Sequence, residues 1–207
     1  MFAKCEINQY FPTCVWVHEL VDYKAMNDRM AEELARLRAA GTGTISKLGS
    51  WQSRGDLHRQ EVFRPLVKCI TAATGGVLDF LKFRYDGFEI TNCWANANAS
   101  GQSHQIHTHP NNLLSGVYYV RAAENCGDIV FHDPRQQAIV LIPTVTERTP
   151  FNASKHRIPP EEGRLLVFPS WFQHNVETNE SDEERISISF NVMLRGGMGY
   201  ESGGATF

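Results

Sequence analysis

The sequence lacks the features that would assign it to a membrane, secreted or nucleic-acid-binding class. No apolar run approaches the ~18 residues that a membrane-spanning helix needs. The first residues, MFAKCEINQYFPTC, contain no apolar signal-peptide core. The formal net charge is -3 and there is no basic stripe that would suit nucleic acid. We therefore expect a cytoplasmic protein that binds neither membrane nor nucleic acid, and the sequence carries no signal for an oligomeric state.

The cysteines form no framework. There are five, an odd number, and their scattered spacing includes no C-x-x-C pair. Neither a disulfide scaffold nor a structural zinc cage is expected. We interpret these cysteines as small buried apolar residues in a reducing compartment.

The length of 207 residues fits one domain, and its texture changes near residue 85. Residues 1–84 predict a mixed α/β support region: a strand over Thr13–Leu20, a helix over Asp22–Gly41 capped by Asp22 and ended by Gly41, and a second helix over Leu57–Gly76. Gly75 and Gly76 are expected to stop the second helix, and Pro65 to kink or split it. Residues 196–207 are glycine-rich and predict an irregular tail.

Residues 85–195 predict a β-rich core. Seven or eight short runs of β-forming residues alternate with clusters of Gly, Pro, Asn and Asp; they include FEITNCWANAN, LLSGVYYV, GDIVFHD, AIVLIPTV, GRLLVFPS, HNVETN and RISISFNVML. This spacing favours an antiparallel sandwich or barrel over a parallel sheet.

Two of these strands alternate polar and apolar residues. In RISISFNV, Arg185, Ser187, Ser189 and Asn191 share one face, and in ITNCWANAN the residues Asn92, Trp94, Asn96 and Asn98 do so. The simple interpretation of each strand alone is a polar face toward solvent. In a barrel, the same polar face can line the interior and bind a ligand.

A possible metal site begins at SHQIHTHP. On an extended strand, residues i and i+2 point to the same side, so His107 and His109 would project together. A third ligand must come from elsewhere, and His174 is the best candidate because it follows an apolar strand and a turn. A lone H-x-H pair is weak evidence, since two polar residues entering a strand look the same.

Arg185 and Ser187 strengthen the metal hypothesis. They follow His174 on the next strand, and side chains two residues apart share a face. The guanidinium binds a planar carboxylate through two parallel hydrogen bonds, and the serine hydroxyl adds another donor. Such a set would serve an enzyme that chelates a keto-acid on a metal and anchors its far carboxylate.

The order H-x-H, SGVYYV, GDIVF, EGRLLVFP, HNV and RISISF resembles the Fe(II)/2-oxoglutarate-dependent oxygenase superfamily, and within it a group of uncharacterised bacterial and phage oxygenases. The similarity covers about residues 85–195. It implies a mainly β fold with flanking helices, a double-stranded β-helix of the jelly-roll or cupin-like kind. It also implies Fe(II), 2-oxoglutarate and O2 as cofactor and cosubstrates.

The resemblance further implies a role for each matching residue. His107 and His174 would ligate iron, and Arg185, assisted by Ser187, would bind the C5 carboxylate of 2-oxoglutarate. Tyr119 matches a tyrosine that holds the same carboxylate, and Asn96 lies where a substrate or cosubstrate contact is common. The implied reaction is hydroxylation of a small-molecule substrate, with release of succinate and CO2.

The sequence departs from the superfamily at position 109. The usual pattern is H-x-D or H-x-E, whereas this chain has His109. Three alternatives follow: His109 completes a three-histidine site, Asp133 supplies a carboxylate from a neighbouring strand, or water or an anion fills the place.

Two rival functions also fit the sequence. One is a three-histidine dioxygenase of the cupin type that uses no 2-oxoglutarate, which would not need Arg185 and Ser187. The other is a non-catalytic jelly roll that binds a small ligand and has unrelated surface histidines.

Overall fold

The computed structural model describes residues 1–46, 48–135, 137, 140–199 and 204–206 of the chain. Its helices are α1 (Lys24–Ala39) and α2 (Arg64–Leu81), with 3-10 turns over Leu57–Arg59 and Glu61–Phe63. Its strands, in chain order, are β1 (Trp16–Glu19), β2 (Thr44–Ile45), β3 (Trp51–Gln52), β4 (Gly87–Asn98), β5 (His104–His107), β6 (Leu114–Arg121), β7 (Ile129–His132), β8 (Lys155–Ile158), β9 (Arg164–Pro169), β10 (His174–Val176), β11 (Arg185–Arg195), β12 (Gly197–Met198) and β13 (Ala205–Thr206).

The strands form two antiparallel sheets that face each other. The large sheet has the order β1-β9-β6-β11-β4-β3-β2, and the small sheet has the order β5-β10-β7-β8. Buried apolar residues from both sheets pack between them: Val117, Tyr119, Ile129, Phe131, Leu166, Phe168 and Phe172. This architecture confirms the predicted mainly β fold with flanking helices, a double-stranded β-helix. No helix in the described part of the chain is both long and apolar enough to cross a membrane.

The large sheet is buried on both faces. On the outer face, Tyr118, Ile188 and Phe190 pack with residues of both helices in one apolar core. On the inner face, Arg185 is 2% exposed and Ser187 is 7% exposed. The interpretation that RISISFNV turns its polar face to solvent is therefore wrong. The helices cover the apolar face, so the polar face points between the sheets.

Helix α1 lies within its predicted range, but it begins differently. Asp22 does not cap it: its φ of 52° is left-handed, and the helix starts after Tyr23 without a side-chain cap. Gly41, with a φ of 72°, follows the last helical turn as predicted.

Helix α2 does not stop at Gly75 and Gly76. It continues to Leu81, and Lys82 ends it in a left-handed conformation with a φ of 56°. Val77 and Leu78 beyond the glycines are 1% and 0% exposed. Burying these two side chains outweighs the ~1 kcal/mol that each glycine costs a helix. Pro65 lies in the first turn, and the predicted segment before it forms 3-10 turns.

The strand predictions differ in three places. The described residues 140–145 of AIVLIPTV form no strand, and Ala138 and Ile139 lie outside the described residues. β8 instead pairs with β7, and it was not predicted. β2 and β3 lie in a segment that was predicted to be a loop, while the predicted irregular tail contains the short pair β12 and β13. These elements are two to four residues long, too short for a periodic pattern.

Candidate metal centre and adjoining cavity

Three histidines converge at one end of the small sheet. His107 ends β5 and pairs directly with His174, the first residue of β10. His109 lies just beyond β5, where its backbone N–H donates to the carbonyl of Ser170 at 2.9 Å. One ring nitrogen from each histidine lies within 4.8 Å of the other two. The structure thus brings together the three histidines that the sequence singled out.

Backbone carbonyls orient two of the three rings. Nδ1 of His107 donates to the carbonyl of Gln105, and Nδ1 of His174 donates to the carbonyl of Phe172, both at 2.8 Å. A carbonyl only accepts, so each Nδ1 carries the proton and each Nε2 keeps a free lone pair. Metal-binding histidines show the same arrangement, because the second hydrogen bond fixes the ring and its tautomer.

Burial keeps the rings of His109 and His174 neutral. Burial lowers the pKa of His174 to about 3, and burial together with His107 lowers the pKa of His109 to about 4. The ring of Phe168 lies with its centroid 4.9 Å from that of His174. Neutral imidazoles have lone pairs available at neutral pH, so the donor set fits a divalent metal such as iron, nickel or zinc.

Asp133 is engaged elsewhere. Its carboxylate accepts from Nε and Nη2 of Arg135 at 2.9 and 2.8 Å, and also from the Arg135 backbone N–H. Arg135 holds the pKa of this carboxyl below its usual value. Within the described residues, the metal-type cluster contains the three histidines and no carboxylate. This geometry favours His109 over Asp133 as the third ligand.

A cavity of about 200 Å³ adjoins the histidines. All seven residues that the sequence singled out line it: Asn96, His107, His109, Tyr119, His174, Arg185 and Ser187. It is smaller than the ~300–1,000 Å³ that drug-sized ligands occupy. A compact ligand beside a metal suits this volume.

Arg185 lies on the wall that the large sheet contributes to this cavity. Its Nη1 donates to the carbonyls of Cys126 and Gly127 at 2.6 and 2.8 Å. Burial lowers its pKa from the usual value, although a guanidinium still stays charged at neutral pH. No carboxylate among the described residues forms an ion pair with it. A buried cation without a counter-charge is costly, so this position suits an anionic ligand.

Two hydroxyl groups flank Arg185. Ser187 pairs across the sheet with Tyr119, so both side chains lie in one row on the inner face. Burial raises the pKa of Tyr119, which keeps its phenol protonated as a donor. Together with Arg185, these hydroxyls can donate hydrogen bonds to a carboxylate at this end of the cavity.

Asn96 belongs to a hydrogen-bonded chain that includes a residue missed in the sequence. Gln52 of β3 donates to Oδ1 of Asn96 at 3.0 Å, and Nδ2 of Asn96 donates to Ser189 at 3.2 Å. β3 is only two residues long, so no periodic signal identified Gln52. Trp94, also on this wall, has its ring 5.9 Å from that of His109.

His104 is the second residue that sequence reasoning misplaced. Its spacing from His107 did not mark it as a cavity residue, yet it begins β5 and lines the cavity. The bulged pairing of β5 with β10 puts His104 opposite Val176 and His107 opposite His174. A spacing of three residues would not predict a shared face on a regular strand, and the bulge could not be read from the sequence.

One known family resembles the region that forms the cavity. A family described as "Putative 2OG-Fe(II) oxygenase" matches residues 92–191, which include all three histidines and Arg185. Over these residues the chain is similar to the 2OG-Fe(II) oxygenases. The matched region holds both ends of the cavity, while Gln52 lies outside it.

Solved structures share the fold of this protein. A prolyl-4-hydroxylase from Pseudomonas putida has a TM-score of 0.65 and 15% identity, over 89% of this chain and 94% of that one. The non-heme alpha-ketoglutarate-dependent epimerase SnoN from nogalamycin biosynthesis has a TM-score of 0.68 and 14% identity. The match covers 89% of this chain and 77% of the epimerase. A Trichoplax adhaerens prolyl hydroxylase, bound to a hypoxia inducible factor peptide, has a TM-score of 0.62 and 15% identity, over 87% and 83%. At these identities, the similarity shows the fold alone.

The comparison with curated protein sequences gave no match for this chain.

Proposed function

We propose that this protein is an Fe(II)- and 2-oxoglutarate-dependent hydroxylase whose iron is held by His107, His109 and His174. The proposal is supported above all by the pairing of two sites in one small cavity. Three histidines converge at one place, and the buried Arg185, which has no carboxylate partner among the described residues, lines the same space. A keto-acid with a second carboxylate is a ligand that satisfies both.

The residues at each end of the cavity would have separate tasks. The Nε2 atoms of His107 and His174 face the metal because their Nδ1 atoms are held by backbone carbonyls. Arg185, Ser187 and Tyr119 would donate hydrogen bonds to the distal carboxylate of 2-oxoglutarate. When bound, iron with O2 and 2-oxoglutarate supplies the oxidation, and the cosubstrate leaves as succinate and CO2.

Asn96 would contact the cosubstrate or the substrate. Its amide is fixed by Gln52 and Ser189, so its orientation is set before a ligand arrives. Fixed polar groups lower the entropy that binding costs. We propose a small molecule as the prime substrate; the structural neighbours include an epimerase from antibiotic biosynthesis and a hydroxylase bound to a peptide.

We also propose that residues 1–207 form a single oxygenase domain. Residues of α1 and α2 share one apolar core with β4, β6, β9 and β11, and Gln52 completes the cavity wall. The first part of the chain therefore supports the sheet that carries Arg185.

The test is turnover of 2-oxoglutarate by protein reconstituted with Fe(II) under anaerobic conditions and then exposed to O2. We expect succinate and CO2 in equal amounts. Arg185→Gln should raise the 2-oxoglutarate KM about 30-fold or more, since losing one partner of a buried charge pair costs about 2–5 kcal/mol. His174→Ala should abolish metal binding. The control is Arg157→Gln, because Arg157 pairs with Glu177 on the surface. Normal 2-oxoglutarate turnover by Arg185→Gln would contradict the assignment.

The second candidate is a three-histidine dioxygenase that uses no keto-acid. This candidate is favoured by one observation: among the described residues, the cluster that could hold a metal consists of three histidines and contains no carboxylate. Oxygen uptake with and without 2-oxoglutarate separates the two, because only the proposed hydroxylase needs the keto-acid.

A further inference from the structure

His104 is a polar residue in the cavity that the proposed chemistry leaves unused. It begins β5 and lines the same space as His107 and Arg185. Its Nε2 is shielded from solvent and has no hydrogen-bond partner among the described residues. Leaving such an atom unpaired is unfavourable, and a ligand that bonds to it removes this cost.

The strand pairing shows which end of the cavity His104 faces. His104 lies opposite Val176, which in turn pairs with Ile129 of β7. Arg185 donates to the carbonyl of Gly127, two residues before Ile129, whereas His107 lies opposite His174. Burial, and after it the positive charge of Arg185, lowers the pKa of His104 to about 4, so its ring is neutral at neutral pH and offers one N–H donor.

Arg185 alone does not complete that end. Within the described residues, hydrogen bonds are formed by its Nη1, which points at two backbone carbonyls. A carboxylate has about four lone-pair sites to fill. From the large sheet, donors are offered by the other guanidinium nitrogens of Arg185 and by the hydroxyls of Ser187 and Tyr119. From the small sheet, across the cavity, His104 offers one more donor.

We infer that His104 is a specificity-determining residue that donates its Nε2–H to the distal carboxylate of 2-oxoglutarate, opposite Arg185. The inference rests on the proposed function. It assigns recognition of the second carboxylate to both sheets, so that a keto-acid lacking this group loses the contacts from both.

The test is calorimetric titration of the Ni(II)-loaded protein, which binds the keto-acid without turnover. The two ligands are 2-oxoglutarate and 2-oxobutyrate, which lacks the distal carboxylate. His104→Leu should weaken 2-oxoglutarate binding about 10- to 100-fold, the range for one hydrogen bond to a charged group. The same variant should bind 2-oxobutyrate like the wild type. His104→Gln, which keeps an N–H donor, should weaken 2-oxoglutarate binding less than His104→Leu.

Two controls separate this role from a structural one. His156→Leu changes an exposed histidine on β8 and should leave both affinities unchanged. The metal-free His104→Leu protein should melt at or above the wild-type temperature, because the shielded Nε2 has no partner to lose. A clearly lower melting temperature would assign His104 a packing role and overturn the inference.

The other outcomes are also decisive. Equal weakening of both keto-acids, or no change for 2-oxoglutarate, would overturn the role of His104 while leaving the proposed function in place. Failure of the wild-type Ni(II) protein to bind 2-oxoglutarate would instead overturn the proposed function, and this inference with it.

Discussion

At the scale of the residue, His109 determines the charge of the proposed metal centre. Three neutral imidazoles bring no negative charge to a divalent cation, whereas two imidazoles and a carboxylate bring one. Burial keeps the pKa of His109 at about 4, so its ring is a neutral donor at physiological pH. The metal then depends on the anionic cosubstrate for charge balance, and its retention should be sensitive to that ligand.

The ligand role of His109 can be tested directly. His109→Ala should weaken Ni(II) binding at least about tenfold, because one of three donors is lost. His109→Asp should bind Ni(II) more tightly than His109→Ala, since the carboxylate restores a donor and adds a charge. Isothermal titration calorimetry of the metal-free variants gives both affinities.

Asp133→Asn is the matched control for this experiment. Asp133 is bound to Arg135, so its neutral variant should keep the wild-type affinity for Ni(II). A wild-type affinity in His109→Ala would show that position 109 is not a ligand, and a loss in Asp133→Asn would make Asp133 one.

The site shows how far sequence reasoning reached at this scale. His107, His174 and Arg185 could be singled out because they occur in one order along the chain and combine residue types that bind metals with one that binds carboxylates. Gln52 and His104 could not, for a physical reason. Each reaches the cavity through local geometry, a two-residue strand for Gln52 and a bulged strand pairing for His104, and neither geometry has a sequence pattern.

At the scale of the element, helix α2 carries glycines that it does not need. An added Cβ at Gly76 would meet no atom within 4 Å. Gly76→Ala should raise the free energy of unfolding by about 0.5–1 kcal/mol, because alanine loses less backbone freedom on folding. Urea denaturation followed by circular dichroism measures the change.

Gly116 in β6 provides the opposite case. An added Cβ there would lie 2.2 Å from Cζ of Phe190 and 2.4 Å from the carbonyl oxygen of Leu166. Gly116→Ala should therefore destabilise the protein by at least about 1–3 kcal/mol, the usual cost of overpacking a core. Equal effects of the two alanines would contradict this account of why one glycine is tolerant and the other is not.

The elements also explain why some sequence predictions failed. The alternation in RISISFNV correctly predicted a strand, but alternation alone cannot tell solvent from a cavity. That distinction depends on α1 and α2, which cover the apolar face of β11. Likewise, two adjacent glycines predict the end of a helix only when the residues after them bury no apolar surface by continuing it. Val77 and Leu78 do bury their side chains in the core.

At the scale of the whole molecule, the buried histidines couple folding to pH. Burial lowers the pKa of His104 and His109 to about 4 and that of His174 to about 3. In the unfolded chain these rings titrate near ~6.5. Between these values the unfolded chain binds protons that the folded, metal-free protein does not. Its free energy of unfolding should therefore fall as the pH drops below about 6.5, and this contribution should level off near pH 3–4.

Urea unfolding of the metal-free protein between about pH 7 and pH 4.5 checks this prediction. Acidic groups also titrate in this range, so the comparison is with His104→Leu, which removes one of the three histidines. Its stability should fall less steeply with decreasing pH. A slope identical to that of the wild type would contradict a lowered pKa for His104.

The two ends of the cavity belong to different sheets: His107 and His174 lie on the small sheet, and Arg185 lies on the large one. The spacing between the sheets is maintained by the aromatic and aliphatic layer that includes Phe131 and Phe168. The distance between the two ends of the cavity, and with it the length of the keto-diacid that fits, is then determined by all the side chains of this layer together. Discrimination between a five-carbon and a six-carbon keto-diacid should change when Phe131 becomes smaller, although Phe131 is not among the residues that line the cavity.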